Sequence, residues 1–159
     1  MRSRGRDGQI PHAGITNRNR CVSTSNNDPG TSLRVALIAS DAALRSSIRL
    51  LLTVSDMHVD EYRSGREFLT APPTPYACLV IDCRLSDMTG RRLCAETVRR
   101  SGMFPTIVLT ASPETFSCTP PAHPNLRVIA KPFDTSHLVD AIRKAAADGR
   151  RADELPAAS

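Results

Sequence analysis

The chain has 159 residues, 40% hydrophobic and 23% charged, which suits one compact soluble domain with tails. No apolar stretch is long enough to span a bilayer, and the Arg-rich start lacks the apolar segment of a secretory signal, so a cytoplasmic protein is expected. Aromatics make up 4% and Trp is absent, so the core must come mainly from Leu, Ile, Val and Ala.

The net charge of +5 is unevenly spread. Residues 1–31 hold Arg2, Arg4, Arg6, Arg18 and Arg20 against Asp7 and Asp28. A loose basic arm can touch nucleic acid or anionic lipid without specificity, but no recognition motif or interleaved aromatics accompany it. Rich in Arg, Asn, Ser, Gly and Asp and without periodicity, residues 1–31 read as a disordered, solvated extension.

The pattern then alternates. Leu33–Ala39 (LRVALIA) is a short apolar run, as in a buried strand. Ser40 and Asp41 offer a helix start. Leu44, Ile48, Leu51 and Leu52 then recur at spacings of three and four, the mark of an amphipathic helix. His58–Tyr62 is a short strand, and Ser64–Thr70 a brief helix stopped by Pro72 and Pro73. Ala77–Ile81 (ACLVI) is the most strand-like run and leads straight into Asp82. Arg91–Arg100 is helical, with Leu93, Thr97 and Val98 on one side. Pro105–Leu109 (PTIVL) is a buried strand followed by Thr110, and Leu126–Ala130 (LRVIA) another followed by Lys131 and Pro132. Asp134–Ala147 is the last helix, with Leu138, Ala141, Ile142 and Ala145 on its apolar face. Residues 148–159 read as a flexible C-terminal tail.

Strands that alternate with helices and are apolar throughout predict a parallel sheet covered on both faces. The crevice of such a sheet lies beyond the carboxyl ends of its strands. Asp82, Thr110 and Lys131 all follow strand ends, and the first strand delivers Ser40 and Asp41 to the same edge. A carboxylate can act as nucleophile and take up a phosphoryl group as an acyl phosphate. The spread negative charge of that group asks for a cation and hydrogen-bond donors, which Lys131 and Thr110 can supply. The plainer alternative is a structural ion pair between Asp82 and Lys131. The five cysteines, Cys21, Cys78, Cys83, Cys94 and Cys118, contain no C-x-x-C pair and no zinc spacing. They read as reduced thiols, mostly core-packing. His58, His123 and His137 read as surface or turn residues, and the Arg91-Arg92 and Arg99-Arg100 pairs as solvated helix faces.

Three segments carry a family resemblance. Leu79–Gly90 (LVIDCRLSDMTG) resembles the phosphoacceptor loop of response-regulator receiver domains, especially those of the FixJ type. Val108–Thr110 with Ala111 resembles that family's strand ending in a switch hydroxyl and a small residue. Ala130-Lys131-Pro132-Phe133 resembles its Lys-Pro-Phe turn, in which the Lys–Pro bond is usually cis. The likeness runs from Leu33 to Ala147, within a domain of residues 32–147. It implies a doubly wound, flavodoxin-like (CheY-like) α/β fold with a five-stranded parallel sheet. It also implies Asp82 as phosphoacceptor, Thr110 as switch hydroxyl and Lys131 as phosphate-sensing lysine. The implied cofactor is Mg²⁺, held by Asp82, Asp41 and the backbone carbonyl of Arg84. The implied partners are a histidine kinase or phosphotransfer protein and a downstream protein target. Neither membrane nor nucleic acid is among them.

The sequence departs from the family pattern at four places. The acidic pair after the first strand is replaced by Ala39 and Ser40, with Asp41 at the third acid; in a register one residue along, Ser40 and Asp41 are the pair. Either way a metal-directing carboxylate is lost, and Mg²⁺ binding should weaken. Pro113, Pro120, Pro121 and Pro124 interrupt the place of the fourth helix, where interior proline costs about 3 kcal/mol, so at most one turn is expected between Glu114 and Thr119. Val128 stands where the family has an aromatic in the last strand, and Ser86 where it commonly has proline. The leading expectation is a stand-alone, non-enzymatic receiver that accepts phosphate on Asp82 and signals by protein contact. The alternative is a degenerate receiver used for docking. A phosphatase with an aspartyl-phosphate intermediate ranks behind both, because the place of its second acid holds Arg84.

Overall fold

Three strands of this chain are apolar along nearly their whole length, and they can be satisfied only in the middle of a sheet covered on both sides. In the computed structural model, which describes residues 32–116 and 125–154, this is the arrangement found. The strands are β1 (Leu33–Ile38), β2 (Met57–Tyr62), β3 (Cys78–Asp82), β4 (Thr106–Thr110) and β5 (Leu126–Ala130). They form one parallel sheet in the order β2-β1-β3-β4-β5. All residues of β3 and β4 are buried, whereas the edge strands β2 and β5 are mixed.

The period-two alternation along the strands builds two cores. Val35, Leu37, Val80, Ile107 and Leu109 face one side. There they meet Ile48 and Leu52 of α1 (Ala42–Val54) and Leu138 and Ile142 of α5 (Thr135–Glu154). Ala36, Ile38, Leu79, Ile81 and Val108 face the other, under Leu93 of α3 (Gly90–Ser101) and Phe116 of α4 (Pro113–Phe116). Phe68 and Leu69 of α2 (Gly65–Thr70) pack against that second core. Each fully buried Leu or Ile contributes about 1.5–3 kcal/mol, so the paired cores hold the sheet as one unit.

Local signals fix the helix starts. The side chains of Asp41, Ser64 and Thr89 cap α1, α2 and α3 by accepting the N–H of Leu44, Glu67 and Arg92. Asp87 adds a cap from a distant loop, accepting the N–H groups of Gly65 at 3.0 Å and Arg66 at 2.8 Å. The short α4 begins at Pro113, a position where proline costs no helical hydrogen bond. The turn expected between Glu114 and Thr119 thus starts one residue earlier, and its part after Phe116, like the expected disorder of residues 1–31, lies outside the described residues.

One boundary differs from the sequence expectation. α5 does not stop at Ala147 but continues to Glu154, so residues 148–154 are helix rather than tail. The cause is tertiary. Asp148 pairs with Arg127 of β5 at 2.7 Å, and Gly149 is buried against the ring of Pro105. At the far edge, β2 is tied down by Asp60. Its carboxylate accepts from Arg34 at 2.9 Å and from the Tyr76 hydroxyl at 2.9 Å, while the Tyr62 and Tyr76 hydroxyls lie 2.6 Å apart. Burial opposes the charge on Asp60, but the hydrogen bonds from Tyr76 and Arg34 outweigh it and hold the pKa below the ordinary 3.8.

Gly→Ala inside a helix usually stabilises by about 1 kcal/mol; Gly149→Ala should instead destabilise by about 1–2 kcal/mol, because its Cβ falls 2.5 Å from the Pro105 ring. Urea melts give the sign. A carboxyl whose pKa is lowered by folding contributes stability above its unfolded value and loses it as the pH falls through the folded one. Acid melts should therefore show stability declining from about pH 4 downward, with a shallower decline in Asp60→Asn.

Candidate functional site

Because all five strands run parallel, their carboxyl ends meet at one edge of the sheet. β1 and β3 lie side by side at its centre, and the chain leaves them in opposite directions. That is the switch point at which such folds form a crevice. Asp82 is the last residue of β3 and only 4% exposed. Its Oδ1 accepts the Lys131 ammonium at 2.8 Å and the Arg84 N–H at 3.2 Å. Thr110 ends β4, also 4% exposed, and its Oγ1 accepts the Ser112 N–H at 3.1 Å. The Lys131 N–H continues the ladder by donating to the Thr110 carbonyl at 2.7 Å. The Lys131–Pro132 bond that follows is cis. The residues expected to act together thus end adjacent strands, with Asp82 and Lys131 in direct contact.

The end of β1 is built differently. Ala39 is fully buried, and its carbonyl accepts the Arg45 guanidinium at 2.7 Å. The Ser40 hydroxyl donates to the Arg63 carbonyl at 2.9 Å and accepts the Ser86 N–H at 2.8 Å, with the Ser86 hydroxyl 3.3 Å away. It therefore joins the loop after β2 to the loop after β3. Asp41, expected as a metal ligand, spends its Oδ1 on the Leu44 N–H at 2.8 Å as the cap of α1. Arg84 pairs with Thr89 in an isolated antiparallel bridge that shapes the loop after Asp82.

A hard divalent cation takes about six oxygen ligands, and their charge sets its affinity. Here Asp82 is the carboxylate at the centre of the crevice, and one of its oxygens already serves Lys131 and Arg84. Ser40 is committed to two loops and Asp41 to a helix. Among the described residues no three His, Cys, Asp or Glu side chains gather as metal ligands. This donor set does not fit a resident Mg²⁺.

Sequence reasoning missed the Ser40 tether and the Arg45 contact, since both depend on loops that only folding brings together. His58 lies on the surface, 3.3 Å from Asp60, and His137 is exposed; His123 is outside the described residues. Cys78, Cys83 and Cys94 are free thiols. Burial pushes Cys78 and Cys94 up to about 12, which leaves both protonated and unreactive. No described helix is long and apolar enough to cross a membrane.

A doubly wound parallel sheet with Asp82, Thr110 and Lys131 at the ends of adjacent strands has the flavodoxin-like architecture, with a polar crevice at its carboxyl edge. Residues 35–143 match the response regulator receiver domain family, and the chain belongs to that family. It is 30% identical over 132 residues to the transcriptional regulatory protein FixJ of Azorhizobium caulinodans, covering 77% of this chain and 61% of that protein. The chain thus spans about three fifths of the length of this curated relative. The chemotaxis response regulator CheY4 of Vibrio cholerae has the same fold, with a TM-score of 0.62 and 19% identity over 72% of this chain and 99% of that one. So does the receiver domain of a sensor histidine kinase from Pseudomonas aeruginosa, at 0.65 and 21% over 74% and 99%; that structure has a magnesium ion coordinated in its active-site cleft.

Removing the ammonium should leave the Asp82 carboxylate buried without its cation. Lys131 is 28% exposed, so the loss in Lys131→Met should fall below that of a fully buried pair, at about 1–3 kcal/mol. Adding Asp82→Asn should recover most of it. Urea melts of the two single variants and the double variant test this coupling.

Proposed function

We propose that this receiver is a docking module of two-component signalling. In this reading Lys131 pairs with Asp82 in the crevice, which is not switched by metal-dependent phosphorylation of Asp82. The observation that carries the reading is the Ser40 tether. A neutral hydroxyl bonded to Arg63 and Ser86 stands where the family places metal-directing carboxylates. Without those charges to hold a cation, the negative charge of an incoming phosphoryl group is met by Lys131, the Thr110 hydroxyl and local N–H groups.

The short α4 and the 36% exposed Val128 support the same conclusion. A rotamer switch between Thr110 and an aromatic in β5 has no ring to work on. Signalling then proceeds by contact with a histidine kinase, a phosphotransfer protein or a downstream protein, with no reaction of the module's own. The free thiols of Cys78, Cys83 and Cys94 support the cytosol as its place of action.

The second reading is phosphoryl acceptance on Asp82, with Thr110 as switch hydroxyl and Lys131 as phosphate sensor. It is favoured by the convergence of these three residues at the strand ends. Incubation with Mg²⁺ and acetyl phosphate, or with beryllofluoride, separates the two. The wild type should show no phosphoryl-sized mass change and no spectral response. The Ala39→Asp/Ser40→Asp variant should gain both. A wild-type mass change that disappears in Asp82→Asn would overturn the docking reading in favour of the second.

A further inference from the structure

Away from the crevice, α2 and α3 enclose a surface groove of about 300 Å³ lined in part by Arg66, Leu69, Met88, Arg92, Glu96 and Arg100. Its charge is one-sided. Its lining sets Arg66, Arg92 and Arg100 against the single carboxylate of Glu96. Glu96 is itself matched by Arg99 at 2.7 Å and Arg100 at 3.5 Å. Arg66 and Arg92 are both exposed, so their guanidinium groups face solvent along the groove. Leu69 and Met88 are half-buried and give it an apolar floor. Met88 can lie there because α2 begins with Gly65, where a Cβ would fall 2.5 Å from the Met88 sulfur.

We infer that this groove docks an acidic segment of a partner protein, with carboxylates on Arg66 and Arg92 and an aliphatic side chain on Leu69 and Met88. Charge complementarity selects that occupant. A second copy of the chain carries a net +5, and residues 1–31 hold five arginines against two aspartates, so both are repelled. A nucleic acid would meet the charge, but the groove has no aromatic side chain on which a base could stack. A recess holding one or two aliphatic side chains, rimmed by guanidinium groups that pair with carboxylates, fits a peptide. The inference adds a partner surface to the docking reading and does not involve Asp82, so the peptide titration and the phosphoryl assay fail independently.

The test is fluorescence anisotropy with a short labelled peptide of Glu and Asp residues around two leucines, in about 0.1 M salt, where screening acts over about 10 Å. The wild type and Asp82→Asn should bind it alike. The Arg66→Glu/Arg92→Glu variant should weaken binding about tenfold or more. Lys144→Glu, an exposed charge reversal on α5, should change it by less than about twofold. On the unmodified protein, the Met88 methyl resonance should shift as peptide is added. This second readout holds even if the double variant folds poorly. Three results would overturn the inference: no peptide binding, an equal loss in Lys144→Glu, or a single-stranded oligonucleotide that binds more tightly and also shifts Met88.

Discussion

The strand-end crevice depends on the burial of β1, β3 and β4 on both faces. A strand with no polar face has no place at the surface, and hydrogen bonding to parallel neighbours requires helical crossovers that then cover the sheet. Parallel strands also share one direction. The residue after each apolar run therefore arrives at the same edge, however far apart these residues lie in the chain. Asp82 and Lys131, 49 positions apart, meet at 2.8 Å for this reason.

The ion pair between them is a consequence of the sheet and, in turn, a constraint on the crevice. Asp82 is almost wholly buried, and an unpaired carboxylate there would be costly. Lys131 and the Arg84 N–H offset that cost. In a crevice with more carboxylates, electrostatic repulsion would call for a cation in addition to the lysine. Here Ala39 and Ser40 remove that repulsion. Ser40 ties two loops together, Arg45 covers the end of β1, and Asp41 serves α1. Each of these three positions after β1 has a structural partner.

The α2–α3 face shows how charge can be placed without entering the core. The arginines of α3 lie opposite Leu93, Cys94 and Thr97, which are buried against the sheet. An amphipathic helix must expose one face, and this one exposes guanidinium groups beside the short helix α2. Their grouping around Leu69 and Met88 comes from how the two helices pack rather than from either helix alone.

Among the described residues, local sequence carries the fold class, the five strands, α1, α2, α3 and α5 with the single turn of α4, and the strand-end positions of Asp82, Thr110 and Lys131. These depend on signals carried within a few residues: apolar runs, spacings of three and four, caps, and the polar residue after each run. It did not determine where α5 ends. Asp148 and Gly149 read locally as a terminus, while Arg127 and Pro105 make them part of a packed helix. Nor did it determine what Ser40 and Asp41 do, since a short polar side chain after a strand can bind a metal, cap a helix or join loops. The partners of Ser40 lie 23 and 46 positions away. Only the tertiary structure could decide among these roles, because each polar atom takes the partner that folding brings within about 3 Å.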